Sequence, residues 1–384
     1  MDSSFFSVTP NDSPQAAERY QTLRLWSGIV GIGIGLGLAL LLLLFPLAWL
    51  PLAPTLLGAA QLALLIFVLH ALLTLPVEIY AGYIVERQGQ LYNATWDTWW
   101  AQHLRGLLWQ ALLFVAAASV LATVLLLFPQ EWALIVAALL FPLAFVLQRY
   151  RQGIFPPGLI EVDPLPLARQ QAVQTRLQAM HLAVPALCVY RSDGAREVQG
   201  GWVGEALWLS AAALELDDDA LACAVARECL AKSRGELRDS ALLSAAWLAV
   251  GVLIASLLVP VADPRLLVLR FSGAMTLWSF AALFVLPAWS RRMVLRVDRA
   301  YLELAPDKPA AAAQLKRTLQ HITERNKFHR QLGRVRQQVF HPIPSLERRL
   351  AAIDHASDSA SDSASDSGMA SQEVTPPAKQ GESL

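Results

Sequence analysis

The segment with the strongest claim to chemistry opens on Asp217-Asp218-Asp219 and runs through Arg227-Glu228-Cys229-Leu230-Ala231. Glu228 is the residue type that serves as a general base. A carboxylate deprotonates water at neutral pH only when something, usually a bound metal, has made that water acidic. Donors for such a metal are scarce. Cys223 and Cys229 stand on different faces of a helix, and free cysteine is among the most buried residue types, so both are read as core. Glu236 neighbours Arg234 and Arg238 and is expected in a solvated ion pair. His321 and His329 fall in a Lys/Arg-rich helical stretch and read as a surface face, while His341, before Pro342, reads as structural. No two histidines stand four positions apart anywhere in the chain, so the paired-histidine helix turn of a catalytic zinc site is missing.

Positioning Glu228 falls to a helix whose start is well marked. Asp217 is the expected N-cap, Asp218 and Asp219 complement the positive end of the helix dipole, and the helix is expected to run on toward the next apolar stretch. Ahead of it, residues 186–190 and 206–209 read as short strands, flanked by turn-rich stretches at 191–196 and 199–204, and 165–180 reads as a helix.

Composition sets the surroundings. Of the 384 residues 55% are apolar and only 16% are charged, against about a quarter in ordinary soluble domains, and the 31 basic and 31 acidic residues cancel. No global field attracts nucleic acid, so none is expected as a partner. The three cysteines form neither an even set nor a CxxC pair, which argues against a disulfide framework and for a reducing compartment.

Six apolar segments are long enough for transmembrane helices, at about 25–45, 56–76, 107–128, 132–147, 241–260 and 266–287. The fourth is the shortest, and only Pro129-Gln130-Glu131 separates it from the third. Threading six spans alternately puts Arg19, Arg24, Arg87, Arg105, Arg149, Arg151, Arg291, Arg292 and Arg296 on one side and leaves Arg265 and Arg270 on the other. Both termini and the polar regions are therefore expected in the cytoplasm, with the lipid bilayer as the first partner. No removable signal peptide is expected, because polar residues precede the first span and no AxA-like site follows it. Trp96, Trp99, Trp100 and Trp109 suit an interfacial aromatic belt.

The expected organisation is an N-terminal cytoplasmic segment (1–24) and four spans (25–148) with a cytoplasmic loop at 77–106. A soluble α+β domain follows in two parts, 149–240 and 288–354, interrupted by a membrane hairpin at 241–287. After residue 355 the chain repeats Ala-Ser-Asp-Ser, a tail (355–384) too polar to bury a core and expected to be disordered.

This order of features resembles the integral-membrane zinc metallopeptidases of the CAAX prenyl protease type 1 and HtpX kind. Four blocks carry the resemblance over about residues 20–352. Glu86-Arg87 through Asn93, Thr95, Trp99 and Leu104-Arg105-Gly106 are similar to the family's segment after its second span, with Gln90 in place of a glycine. The helix bearing Glu228 corresponds to the family's HExxH helix. Ser290-Arg291-Arg292…Asp298 is similar to the segment carrying the third ligand, and His341-Pro342…Glu347-Arg348 to the C-terminal H-P…E-R element, with one extra residue. The resemblance implies a multi-pass α-helical membrane protein with a zincin-like α+β cytoplasmic domain interrupted by a membrane hairpin.

Residue by residue, the same resemblance implies that the chemistry is lost. Arg227 stands at the first histidine position, Ala231 at the second and Val294 at the third-ligand glutamate, and none of the three can donate an electron pair to zinc. Glu228 remains as a vestigial general base and Asp298 as a carboxylate formerly beside the metal. No catalytic residue, metal or other cofactor is expected. Arg227 is expected to replace the metal's charge by bonding to Asp298, Glu228 or both. At Gln199, Gly200 and Gly201, where the relatives hold an extended peptide by strand addition, the backbone stays accessible, so this edge is a candidate peptide-binding surface. The expected function is that of a pseudoprotease that binds or scaffolds membrane-associated polypeptides. The alternatives are an active zinc metalloendopeptidase working through a non-standard site, which would need zinc, and a structural bundle whose soluble domain is a remnant.

Overall fold

The computed structural model describes residues 14–45, 52–90, 92–150, 161–191, 197–258, 263–328 and 341–356. The repeat tail beyond 356, residues 192–196 of the stretch expected to be turn-rich, and His329 lie outside the described residues.

The chain is a multi-pass helical membrane protein carrying a small α+β domain. Five helical stretches are long and apolar enough to cross a membrane: Glu18–Leu44, Leu56–Gln88, Trp96–Leu127, Glu236–Leu258 and Pro264–Leu304. They correspond to helix α1 (Pro14–Leu44), α2 (Leu56–Ile79) with its continuation, α4 (Trp96–Leu127), α8 (Glu236–Leu258) and α9 (Pro264–Leu304). The sixth expected span is α5 (Trp132–Tyr150), whose apolar part, Trp132–Val146, is a shorter helix.

The stretch at 77–106, expected as a loop, is largely helical. α2 continues past Pro76 through a wider-turned segment, Tyr80–Val85, into the short α3 (Glu86–Gln88), and α4 already begins at Trp96 behind a Thr95 N-cap that accepts from Thr98 N. Polar residues there end the apolar run but not the helix, because backbone hydrogen bonding within a helix does not depend on side-chain polarity.

Small residues let the helices approach. Ala59 and Ala63 on α2 meet Ala118 and Ala122 on α4 in one buried cluster. Gly251 on α8 faces the Trp278 indole of α9, leaving no room for a Cβ. That indole stacks on Trp247 at 4.4 Å and donates to the Trp247 carbonyl at 2.8 Å, locking the α8–α9 hairpin.

The domain core joins both parts of the chain. Its sheet has the order β1-β2-β4-β3, from β1 (Glu161–Pro164), β2 (Ala186–Arg191), β3 (Gly200–Val203) and β4 (Ala206–Ser210). β2 and β4 are parallel and central, and the other two pairings are antiparallel. The two central strands are those the alternation predicts. The edge strands escape it: β3 lies in the stretch read as turn-rich, because its pairing with β4 compensates for the low strand propensity of Gly200-Gly201. α6 (Leu167–Ala179), α7 (Asp218–Ser233), the far end of α9, α10 (Lys308–Arg325) and a last helix α11 at 346–356 close over the sheet.

α7 is capped as expected, with Asp217 Oδ1 accepting from Ala220 N at 2.6 Å. It runs toward the next apolar stretch, as expected, but is not continuous with it. The helix ends at Ser233, Gly235 takes φ +73°, a left-handed conformation open to glycine, and α8 starts afresh at Glu236. α9 does the opposite, continuing unbroken through Pro287 to bring Ser290-Arg291-Arg292 and Asp298 from the membrane into the domain.

Candidate functional site

Two helices facing each other build the centre. On α7, Cys223, Arg227 and Ala231 recur every four residues and share a face; on α9, Val294, Asp298 and Tyr301 recur at three and four. The Arg227 Nε donates to Asp298 Oδ1 at 2.8 Å. The Arg227 side chain is 15% exposed and that of Asp298 only 2%.

A second arginine completes the arrangement. Arg349 on α11 donates from Nε to Asp298 Oδ2 at 2.8 Å and from Nη2 to Oδ1 at 2.9 Å, a two-pronged grip on the same carboxylate. The sequence resemblance singles out the neighbouring Arg348 and says nothing of Arg349. The helical phase of α11 decides it: Leu346 and Ile353 are buried, and Arg349, three after one and four before the other, shares their inward face. Arg348 is exposed.

Glu228 is half-buried beside Arg227, and among the described residues its carboxylate makes no hydrogen bond. Of the bonds anticipated for Arg227, the one to Asp298 forms and the one to Glu228 does not. Burial pushes the Glu228 carboxyl above its ordinary range, against the opposing pull of the Arg227 charge. Burial alone would lower the Arg227 pKa, yet the Asp298 charge leads the neighbours that hold it above its ordinary value. Arg349 falls below its own, through burial and then the repulsion of Arg227, with Asp298 opposing.

The two thiols of α7, Cys223 and Cys229, are not poised for metal binding or nucleophilic attack. Cys223 and Cys229 are both buried, as the sequence implied. Burial raises the Cys223 pKa, and burial followed by the Glu228 charge pushes that of Cys229 up to about 12, so both stay protonated. Next to Cys223, the Tyr301 hydroxyl accepts from Arg176 Nη2 at 2.6 Å. Sequence reading missed Tyr301 and Arg176, since nothing local pairs residues 125 positions apart.

Glu236 departs from expectation. It is 7% exposed and paired with Arg296 Nη2 at 2.5 Å, not solvated beside Arg234 and Arg238, because the break at Gly235 turns it inward. His321 lies on the surface, as read. His341 is half-buried, its carbonyl accepting from Arg291 Nη1 at 2.8 Å.

The sheet edge lies against this centre. Trp202 on β3 donates from its indole nitrogen to the Glu228 carbonyl at 3.2 Å, and Lys232 Nζ sits 3.9 Å from the centre of the Trp202 ring. Ser210 N donates to the Gln199 carbonyl at 2.9 Å, so Gln199 turns its backbone toward β4. Antiparallel alternation then turns Gly201 and Val203 inward as well, and leaves Val198, Gly200 and Trp202 facing the open edge. At Val198 that edge is already taken. The Asn326 side-chain amide, from a residue 1% exposed, accepts from Val198 N at 2.8 Å and donates to its carbonyl at 2.9 Å, imitating one rung of a neighbouring strand.

The donor set does not fit zinc. The three positions at which the resemblance expects ligands hold a guanidinium, a methyl and an isopropyl group, and among the described residues no three His, Cys, Asp or Glu side chains come together.

No protein-family profile matches the chain, and no curated protein matches it. Among solved structures, the crystal structure of S. mikatae Ste24p is similar over 83% of this chain and 80% of that one, with a TM-score of 0.67 at 13% sequence identity. That likeness shows the fold.

Proposed function

We propose that this chain is a membrane-embedded pseudoprotease: a CAAX prenyl protease-like scaffold that has exchanged its zinc for a guanidinium and binds extended polypeptide without cutting it. The observation that carries the reading is the bond from Arg227 to Asp298. It puts a cation of fixed charge on the carboxylate that, in the family resembled, stands beside the metal, and it shares with Arg349 the counter-charge that a buried aspartate requires. The likeness of fold to Ste24p supports the scaffold, and the residues at 227, 231 and 294 support the loss of hydrolysis. Without a polarised water Glu228 has no proton to take at neutral pH.

The binding surface we propose is the open side of β3, chiefly Gly200 and Trp202, where an added strand would exchange backbone hydrogen bonds in line with the rung made by Asn326. Gln199 and Gly201 support it from the inner side. Six spans, with α5 as the short one, and a cytoplasmic location for both termini and the domain complete the proposal. The one-sided distribution of arginine supports that orientation.

The deciding experiment is zinc content per chain by elemental analysis of tag-free protein in detergent, beside a chelator-controlled peptidase assay. A ratio near zero with no cleavage is expected. A ratio near one with chelator-sensitive cleavage overturns the reading in favour of an active enzyme with a non-standard site.

A further inference from the structure

The domain core closes over most of α7, and Ala224, Glu228 and Lys232, four residues apart, form a partly open stripe along it. β3 lies against that stripe. Trp202 ties the two together, its indole nitrogen donating to the Glu228 carbonyl at 3.2 Å and its ring centre lying 3.9 Å from Lys232 Nζ. A strand added to the open side of β3 would run about 4.8 Å beyond it, beside the turn of α7 that carries Glu228, with alternate side chains toward the helix.

Glu228 has bonding capacity to spare. Its carboxylate has no hydrogen-bond or ion-pair partner among the described residues, and its oxygens are not sealed in, since the buried side-chain polar atoms that lack a partner belong to other residues. The two nearest cations along the helix are turned to other acids. Arg227 Nε bonds to Asp298 Oδ1 at 2.8 Å, and Lys232 Nζ to Glu205 Oε2 at 2.7 Å. The remaining acid close to β3, Glu197, is paired with Arg24. A carboxylate half withdrawn from water with no counter-charge is penalised, and a cation carried in by a ligand reverses the penalty.

We infer that Glu228 gives the peptide-binding edge a preference: it accepts from the ammonium or guanidinium of a lysine or arginine side chain on a strand added to β3. The inference rests on the proposed strand addition and names the class of polypeptide that it favours. An uncharged side chain of the same length leaves the carboxylate unpaired, and an acidic one adds repulsion.

The test is the binding of dye-labelled extended peptides to the full chain in detergent, read by fluorescence anisotropy. The peptides are acetylated and amidated, so that no terminal charge competes with a side chain, and they share a Thr/Val host that differs at one central residue: Lys, norleucine or Glu. The unaltered protein is expected to bind the Lys peptide about tenfold more tightly than the norleucine peptide, the effect of one charge-assisted hydrogen bond, and the Glu peptide most weakly. Glu228→Gln should bring the Lys and norleucine peptides to the same affinity. Glu228→Met should do likewise, so the assignment does not hang on one variant folding. Equal affinities for Lys and norleucine in the unaltered protein, or a Lys preference that survives in a folded Glu228 variant, overturn the inference and leave strand addition standing. Failure of all three peptides to bind overturns strand addition and the inference with it.

Discussion

Arg227 on α7 and Asp298 on α9, 71 residues apart in sequence, are joined by a 2.8 Å bond from guanidinium to carboxylate. A membrane hairpin separates them along the chain, so the contact ties the two parts of the α+β domain together. Arg349 makes the same aspartate the meeting point of a third element, α11. Asp298 is thus a structural hub, and its removal should be felt by the whole domain.

Asp298→Asn leaves two guanidiniums without their counter-charge and should destabilise the domain by about 3–5 kcal/mol. Arg227→Met and Arg349→Met each leave one arginine in place and should cost less, about 1–3 kcal/mol. Thermal unfolding in detergent ranks the three; an Asn variant milder than either Met variant contradicts the hub assignment.

Restoring the missing donors should restore the metal. Arg227→His together with Ala231→His rebuilds two histidines one helical turn apart around Glu228, and Val294→Glu adds a carboxylate one turn before Asp298 on α9. The triple variant is expected to bind close to one zinc per chain, the parent close to none. If the triple variant folds and stays zinc-free, the α7–α9 geometry does not correspond to the metallopeptidase site.

Glu228 should make stability fall with rising pH. Its folded pKa is raised by burial, so the folded state holds a proton that the unfolded state has released, and stability declines as pH climbs from the ordinary carboxylate range through the folded value. Glu228→Gln should therefore raise Tm at pH 7, with the gain vanishing below about pH 4. An unchanged or lowered Tm at pH 7 means the carboxylate is stabilised there, contrary to its lack of hydrogen bonds among the described residues.

Asn326 should act as a stop on the sheet edge. Asn326→Ala deletes both bonds to Val198 and strands its N–H and carbonyl, at a cost of about 1–3 kcal/mol. The same change lengthens the free edge, so concentration-dependent self-association in detergent should rise. Light scattering indistinguishable from the parent would show that the edge is covered by other means.

Length and hydropathy are properties of contiguous residues, and for that reason the membrane-crossing helices were legible in the sequence. So was the start of α7, where the Asp217 cap needs only residues three positions apart. The identities at 227, 231 and 294 are equally local, and the proposed loss of zinc rests on them. The tertiary structure decided everything that needed a distant partner: that Arg349 and not Arg348 grips Asp298, that Glu236 turns inward to Arg296, that Gly200-Gly201 is an edge strand, and that Asn326 closes one end of it. Burial and pairing belong to two segments at once, and no window along the chain contains both.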